Sequence, residues 1–262
     1  MRGQSVALLK ELHLLTRDGD LNADSLRKLK QVNHLLGLLS PALEDVLERF
    51  GEPVLVDCGA GKSYLGFILY ELFLKETRGT LHCIESRPEL SDAGEERAQR
   101  LGFDRLHFQT ADIEGAGLPA RVHLLTALHA CDTATDDALV LAIRHNADHI
   151  AVVPCCQAEV ARQLEQARDA DALLAPLFAH PWHRREFGSH LTNVVRALAL
   201  EAMGYRVTVT ELTGWEHSLK NELILAKKVR TRGDEAVAQL TQLLAAARVK
   251  PKIARLLDLV GE

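Results

Sequence analysis

The sequence predicts an α/β fold in which a parallel sheet of five strands ends in an antiparallel hairpin. Between residues 52 and 157, short apolar runs alternate with helix-length amphipathic stretches, which requires crossover connections and a parallel sheet covered on both faces. Two later strand-like runs are joined by a segment that is short for a crossover helix. The chain of 262 residues is long enough for one such domain with an appendage.

Residues 1–50 form the predicted helical N-terminal lobe. Apolar residues recur there at helical spacing and predict one buried face: Leu26, Leu29, Val32, Leu36 and Leu39. Asp24 or Ser25 is suited to cap this helix. Ser40-Pro41 predicts the start of a second helix, because proline is favoured in the first turn.

Residues 51–230 form the predicted sheet domain. Its five parallel strands are read from PVLVDCG, TLHCIES, LHFQTAD, RVHLLTALHACD and HIAVVPCCQ. The helices between them are LGFILYELFLKE, a polar helix from Pro88 to Leu101, and DDALVLAIRHN. A further helix, HLTNVVRALALEAMGY, precedes the hairpin strands RVTVTEL and NELILAKKV. Residues 231–262 are expected to add a C-terminal helical extension of one helix or a helix pair.

Composition and charge exclude several classes of protein. The net charge of −5 argues against coating nucleic acid through bulk charge, although it leaves room for a local basic patch. Lys10, Glu11 and His13 interrupt the N-terminal apolar run, which is too short for a signal peptide or a membrane span. The five cysteines form no CxxC pair. We therefore expect a cytoplasmic protein with reduced thiols and no membrane partner.

The glycine-rich turn DCGAGKS after the first predicted strand resembles two phosphate-binding loops and fits neither. A P-loop needs a glycine five positions before its GK pair, and Val56 occupies that position within the strand. A dinucleotide-binding GxGxxG motif counted from Gly59 places Tyr64 where the third glycine belongs.

The same turn suits an amino acid joined to a nucleoside, such as S-adenosylmethionine. Gly59 and Gly61 allow the backbone to approach a ligand, and the following helix N-terminus offers N–H groups to a carboxylate. Asp57, in the preceding strand, is placed to accept from an ammonium group. Glu85, at the end of the second strand, is placed for the ribose hydroxyls, and Asp112, after the third, for the adenine amino group.

Three segments, in the order VDCGAGKSYLGFILYEL, ALHACDTATDDAL and VVPCCQ, resemble one branch of the class I methyltransferases. That branch includes the methyltransferase-like domain of the glutathione S-transferase C-terminal-domain-containing proteins and their bacterial relatives. The PCC strand end is also similar to tRNA ribose methyltransferases of a related branch. The resemblance covers roughly residues 50–228. It implies a Rossmann-like methyltransferase sheet and an S-adenosylmethionine site at Asp57, Gly59, Gly61, Glu85 and Asp112.

The ends of the fourth and fifth strands are expected to border the point where the methyl group is transferred, because ligands of such sheets bind at the strands' carboxyl ends. The candidate catalytic residues of this acceptor pocket are His129, Asp132, Cys155, Cys156 and Gln157. His129 or Asp132 is a candidate base for a hydroxyl or a protonated amine, whereas a planar amine needs only backbone or Gln157 acceptors.

Some of these candidate residues also have purely structural interpretations. His129 would then only pack and bond to a neighbouring loop, and Cys155 and Cys156 would be small buried apolar groups. Together with Cys131 these residues include ligand types that suit a metal. Their spacing is irregular, so we predict no metal site.

Residues 180–187, HPWHRREF, are a second candidate surface. Cationic side chains beside aromatic ones suit the phosphates and bases of RNA, whereas the alternative is a solvated loop anchored by Trp182 and Phe187. Together with the resemblance, this segment favours tRNA or rRNA as the substrate, ahead of a protein or a small molecule. The contrasting hypothesis is a non-catalytic module that keeps the cofactor fold, against which the intact glycine turn and Glu85 argue.

Overall fold

The computed structural model describes residues 4–15, 23–128, 130–155, 157–167, 175–212 and 222–259. Its strands are β1 (Val54–Cys58), β2 (Thr80–Glu85), β3 (Leu106–Thr110), β4 (Leu124–Ala127), β5 (His149–Val152), β6 (Tyr205–Glu211) and β7 (Glu222–Lys228). They form one sheet in the order β3-β2-β1-β4-β5-β7-β6. β1 to β5 are parallel, whereas β7 is antiparallel to both β5 and β6. The predicted parallel sheet with an antiparallel C-terminal hairpin is confirmed.

Helices cover both faces of this sheet. They are α1 (Val6–Glu11), α2 (Ala23–Arg49), α3 (Tyr64–Leu69), α4 (Pro88–Leu101), α5 (Ala134–Arg144), α6 (Glu159–Ala167), α7 (Ala175–Ala179), α8 (Pro181–Ala202), α9 (Asp234–Ala247) and α10 (Lys252–Leu256). A π-helical turn, Tyr70–Leu74, continues α3, and a 3₁₀ turn, Ile113–Gly115, follows β3. Within the described ranges, no helix combines the length and the apolar character needed to cross a bilayer.

Alternating side chains along the strands divide the core into two layers. Leu55 and Leu124 pack in a buried cluster with leucines of α1 and α2 and the apolar face of α3. Their neighbours Val56 and Leu125 point the other way, into a cluster built from α5, α8, α9 and α10. This two-sided burial explains why the strands read as nearly continuous apolar runs. The N-terminal and C-terminal helices thus each cover one face of the sheet.

The helix α2 continues through Pro41, so the prediction of a new helix at Ser40-Pro41 is wrong. Proline removes one backbone hydrogen bond and crowds the residue four positions earlier. That residue is Gly37, which carries no side chain, and no neighbouring group lies within 4 Å of where a Cβ would stand. Leu39 and Leu43, on either side of the proline, are buried against the sheet, and this packing keeps the helix continuous.

Residues 181–187 form the first two turns of α8, so the alternative of a solvated loop for this segment is wrong. Pro181 occupies the first turn, where its missing N–H costs nothing. Phe187 packs against Phe178 of α7, with ring centroids 5.7 Å apart. Arg184 donates to the Phe178 carbonyl at 2.9 Å and pairs with Glu165 of α6. These contacts fix the start of α8 beside α6 and α7.

An ion cluster ties the end of α2 to the edge of the sheet where β5 begins. Asp45 accepts from His149 Nε2 at 2.7 Å and from Lys227 Nζ at 2.9 Å. Arg49 bridges Asp45 and Asp148 at 2.8 and 2.7 Å. We call Asp45, Arg49, Asp148, His149 and Lys227 the basal ion cluster, since it lies at the edge opposite to the carboxyl ends of β1 to β5.

Candidate functional site

A cleft of about 610 Å³ opens at the carboxyl ends of the parallel strands. Gly59 of the turn after β1, Glu85 at the end of β2, and Asp112 beyond β3 all line it. The opposite wall comes from the segment after β4 and the start of α5, including Cys131 and Asp137. Three of the five predicted cofactor residues therefore share one cleft. Asp57 and Gly61 lie directly beside it, in the strand and the turn that support its floor.

Left-handed backbone conformations shape the turn after β1. Gly59 and Gly61 have φ values of 64° and 58°, which glycine adopts without steric cost. Ser63, at the N-cap of α3, also has a positive φ of 54°. Its N–H donates to the Ala60 carbonyl at 2.7 Å, and the Ala60 N–H donates to the Ile84 carbonyl at 3.0 Å. The turn is therefore fixed against the end of β2.

Glu85 holds its carboxylate in the cleft wall with only 4 % of the residue exposed. It accepts from the Gly61 N–H at 2.7 Å, the Arg87 N–H at 3.1 Å and the Arg87 guanidinium Nε at 2.8 Å. Burial alone raises the pKa of Glu85, but the hydrogen bonds from Arg87 and Gly61 outweigh it, so the pKa lies below its usual range. Glu85 is therefore an ionised acceptor at neutral pH. The Arg87 side chain is 59 % exposed, so it has room to move away from the carboxylate.

Asp57 lies within β1, buried beneath the turn rather than in the cleft wall. Its carboxylate accepts from the Thr126 hydroxyl at 2.7 Å across the β1–β4 pair. Burial raises the pKa of Asp57 to about 7, against the smaller opposing effect of Thr126. Asp57 thus takes up a proton close to neutral pH, directly below the place predicted for a ligand's ammonium group.

Asp132 has a structural role that its sequence position does not reveal. Its carboxylate accepts from the N–H groups of Ala158 and Glu159 at 2.9 and 3.3 Å, at the start of α6, and pairs with Arg162 at 3.2 Å. Both carboxylate oxygens are therefore engaged in holding the start of α6. The geometry therefore disfavours Asp132 as the proton acceptor. The other candidate base, His129, lies outside the described residues, as does Cys156.

Gln157 belongs to a buried network with α8. Its Oε1 accepts from Ser189 at 2.8 Å and its Nε2 donates to Asn193 at 3.0 Å. Asn193 also accepts from Arg196, which is fully buried and paired with Asp136 at 2.7 Å. Gln157 does not line the cleft. This network positions the segment after β5, and a direct role of Gln157 at an acceptor stays a prediction.

Arg196 connects the ends of β4 and β5, and sequence analysis missed it. Besides Asp136 and Asn193, it donates to the Asp132 carbonyl at 2.7 Å. One guanidinium thus holds the segment after β4 and, through Asn193 and Gln157, the segment after β5. Its signal in the sequence is a lone charge within the apolar stretch NVVRALAL. Arg87, also missed, directly follows the IES strand end.

The thiols of Cys131 and Cys155 lie together at the ends of β4 and β5, with their Sγ atoms 3.1 Å apart. Cys131 is exposed and lines the cleft, whereas Cys155 is half-buried behind it. Over the part of the chain that the structure describes, no three His, Cys, Asp or Glu side chains are grouped to hold a metal.

Comparisons with known proteins agree with this architecture. The family model described as "Methyltransferase domain" matches residues 27–163. Among solved structures, the SAH-bound methyltransferase PaMTH1 of Podospora anserina aligns with a TM-score of 0.50 at 14 % identity, over 87 % of this chain and 90 % of that chain. A putative rRNA-methylase of Clostridium thermocellum aligns with a TM-score of 0.49 at 11 % identity, over 73 % and 97 %.

A third structure, an rRNA methylase of Streptococcus thermophilus, aligns with a TM-score of 0.47 at 12 % identity, over 72 % and 93 %. At 14 % identity, the similarity to the Podospora anserina methyltransferase extends to the fold alone. No curated protein matches the sequence. The family model covers more than half of the 262 residues and includes β1 to β5, the glycine turn and the cleft. The chain therefore belongs to the methyltransferase-domain family.

Proposed function

We propose that this protein transfers a methyl group from S-adenosylmethionine to RNA. The use of S-adenosylmethionine is supported by one observation. Gly59, Glu85 and Asp112 line the same cleft at the carboxyl ends of β1 to β4. In an open parallel sheet this is the position where nucleotide ligands bind. The members of the set come from three successive strand ends, so the fold itself brings them together.

The cleft fits this cofactor in volume and in the chemistry of its walls. A volume of about 610 Å³ lies within the usual range of small-molecule sites, roughly 300–1,000 Å³. Glu85 offers an ionised carboxylate to a pair of hydroxyls once Arg87 turns outward. Asp112 is exposed in the wall beyond β3 and offers an acceptor to an amino group. Gly59 presents backbone without a side chain where the amino-acid portion would lie.

Bound there, S-adenosylmethionine would supply an electrophilic methyl group on a sulfonium centre. The residues of this chain orient the acceptor, exclude water and accept a proton where the acceptor loses one. With the oxygens of Asp132 engaged at the start of α6, His129 is the proposed proton acceptor. In sequence it directly precedes Ala130 and Cys131, which line the cleft.

The start of α8 supports RNA as the substrate class. β6 is parallel to β5, so α8, which leads into β6, begins at the carboxyl edge where the cleft opens. Trp182 is 57 % exposed, and the Arg185 guanidinium lies 4.4 Å from its ring centroid. His180 and His183 lie beside them, with ring centroids 5.7 Å apart. An exposed aromatic ring beside a cation is suited to base stacking and phosphate contact.

Two measurements test the proposal in order. Isothermal titration with S-adenosylmethionine should show saturable binding, and no binding at millimolar ligand would reject the cofactor assignment. The protein is then incubated with methyl-labelled cofactor and with separate pools of RNA, ribosomal proteins and metabolites. Label should enter the RNA pool. Label in the protein or metabolite pool instead would keep the methyltransferase and overturn RNA as its substrate.

Two single arginine substitutions test whether RNA binds at the start of α8. Arg185→Ala should lower labelling of RNA and reduce the salt dependence of RNA binding by about 0.7 in the slope of log K against log salt, as for one lost single-strand phosphate contact. Arg78→Ala removes an equally charged, exposed side chain at the opposite edge of the sheet and should change neither. Equal effects of the two substitutions would show that α8 is not the RNA-binding surface.

A further inference from the structure

Two thiols meet at the ends of β4 and β5, and the chemistry proposed above does not use them. β4 and β5 are parallel neighbours in which Ala127 pairs with Val152, so the segments that leave them run side by side. This arrangement places the Sγ atoms of Cys131 and Cys155 3.1 Å apart. Solvent reaches Cys131 directly, because this residue is exposed.

We infer that Cys131 and Cys155 form a redox-active dithiol that closes reversibly to an intramolecular disulfide. A disulfide bond joins two sulfur atoms at about 2.05 Å, so the observed separation has to shorten by about 1 Å. Small side-chain rotations supply such a change, and the two strands that carry the thiols already lie side by side. The inference does not depend on which molecule occupies the cleft.

Among the four cysteines that the structure describes, the surroundings of Cys58 and Cys83 disfavour their oxidation. Cys58 and Cys83 are buried, and burial raises the pKa of both thiols well above the usual value. The thiolate is the reactive form of cysteine, so these two thiols react slowly. Cys83 is also engaged with the Ser63 hydroxyl at 3.0 Å. Cys131 is exposed, so a soluble oxidant reaches its thiol directly.

The oxidant is a soluble disulfide such as oxidised glutathione. The Cys131 thiolate attacks one sulfur of that disulfide, forms a mixed disulfide and releases one glutathione thiolate. The Cys155 thiolate then attacks Cys131 Sγ and releases the second glutathione thiolate. Two protein thiols have lost two electrons and two protons, and one oxidised glutathione has become two reduced molecules. A reduced thiol reverses the same two steps.

Formation of the disulfide would alter the cleft itself, because Cys131 is part of its wall. The test equilibrates the full-length protein, with a metal chelator present, in buffers of reduced and oxidised glutathione. Acid quenching, denaturation and alkylation then count the thiols. The count should fall from five in reducing buffer to three in oxidising buffer. Tryptic peptides 122–144 and 145–162 should be recovered as one cross-linked species.

Serine variants identify the partners, because peptide 145–162 contains both Cys155 and Cys156. Cys131→Ser and Cys155→Ser should each keep all four remaining thiols in oxidising buffer, whereas Cys156→Ser should still lose two. Wild-type protein that keeps five thiols in oxidising buffer would overturn the inference. A Cys131→Ser variant that still loses two thiols would overturn it as well. Zinc at one ion per purified chain, lost in both Cys131→Ser and Cys155→Ser, would assign the pair to a metal instead.

Discussion

The backbone N–H of Gly61 donates to the Glu85 carboxylate at 2.7 Å and joins the turn after β1 to the end of β2. The same carboxylate holds Arg87 through its backbone N–H and its guanidinium. One buried acid therefore fixes the turn and remains ionised. Because a carboxylate has about four lone-pair sites, the proposed function requires Glu85 to keep the Gly61 bond and to accept from ligand hydroxyls in place of Arg87.

Removing this carboxylate should weaken nucleoside binding. Glu85→Ala loses at least one charge-assisted hydrogen bond to the ligand, worth about 1.5–3 kcal/mol, so the Kd for S-adenosylhomocysteine should rise at least about 10- to 150-fold. Isothermal titration measures the change. Glu89→Ala, at an exposed site in the first turn of α4, is the matched control and should leave the Kd unchanged. An unchanged Kd for Glu85→Ala would remove Glu85 from the binding site.

Asp57 should make the folded protein less stable as the pH rises. Its pKa is about 7 in the folded state against a model value of 3.8, so the folded state binds the extra proton between these values. Stability therefore falls from about pH 4 to about pH 7 and stays level above. Asparagine stays neutral at every pH. Relative to wild type, the free energy of unfolding of Asp57→Asn should therefore increase across this range by up to about 4 kcal/mol.

Urea unfolding of Asp57→Asn and wild type at pH 5 and pH 8 measures this gain. The difference between the two proteins isolates Asp57, because other titrating groups cancel. A difference that is the same at both pH values would show that Asp57 is already ionised at pH 5.

Asp45 should show the opposite pH dependence. Hydrogen bonds from His149 and Lys227 hold the pKa of Asp45 well below its usual range, against the effect of burial. A lowered folded pKa adds stability above pH 4, and this stability is lost as the pH falls through the folded pKa. Asp45→Asn should cost about 1–2 kcal/mol at pH 7.

The cost of Asp45→Asn should shrink as the pH is lowered below about 4, as measured by urea unfolding. Asp92→Asn, at an exposed position of α4, is the control and should cost little at any pH. If Asp45→Asn is no more costly than Asp92→Asn at pH 7, the basal ion cluster does not stabilise the fold.

Arg196→Met should be strongly destabilising. It leaves the buried Asp136 carboxylate unpaired, which typically costs about 3–5 kcal/mol. The double variant Arg196→Met/Asp136→Leu removes both charges and should recover most of this loss in chemical unfolding. Should the double variant be as unstable as the single one, the role of Arg196 lies in its bonds to Asp132 and Asn193 rather than in charge pairing.

Trp182→Ala should weaken RNA binding and spare the cofactor site. Stacking of one base on an aromatic ring is worth about 1–3 kcal/mol, so the Kd for RNA should rise about 5- to 100-fold. Val229→Ala truncates a comparably exposed apolar side chain after β7, at the opposite edge, and should leave the RNA Kd unchanged. Fluorescence anisotropy with labelled RNA measures both variants, and equal values for both would exclude Trp182 from the RNA contact.

Sequence patterns predicted the features that depend on local periodicity and on the ends of strands. The alternation of apolar strands and amphipathic helices predicted the parallel sheet. Strand ends predicted that Gly59, Glu85 and Asp112 meet, because parallel strands end at one edge. The linker length predicted the β6–β7 hairpin. Each of these inferences uses neighbours in sequence or the direction of a strand.

Sequence patterns did not predict the features that depend on tertiary packing. Pro41 was predicted to start a helix because proline is favoured in the first turn. The burial of Leu39 and Leu43 on either side of it, which keeps α2 continuous, appears only in the folded chain. The start of the helix at Pro181 was not predicted, because its charged and aromatic residues are held by contacts with α6 and α7 that the sequence does not show. Asp132 was predicted as a candidate base, and its contacts with the start of α6 appear only in the fold. Asp57 was predicted to contact the ammonium group of a ligand, and its burial within β1 appears only in the fold.

The length of α2 and the position of its proline have a mechanical consequence. Its 27 residues span about 40 Å, more than twice the length of β1, and its last turn is anchored in the basal ion cluster. Ala23 lies 18 residues before Pro41, so this arm is about 27 Å long. A flex of about 10° at Pro41, where one backbone bond is missing, would move the N-terminal end of α2 by about 5 Å.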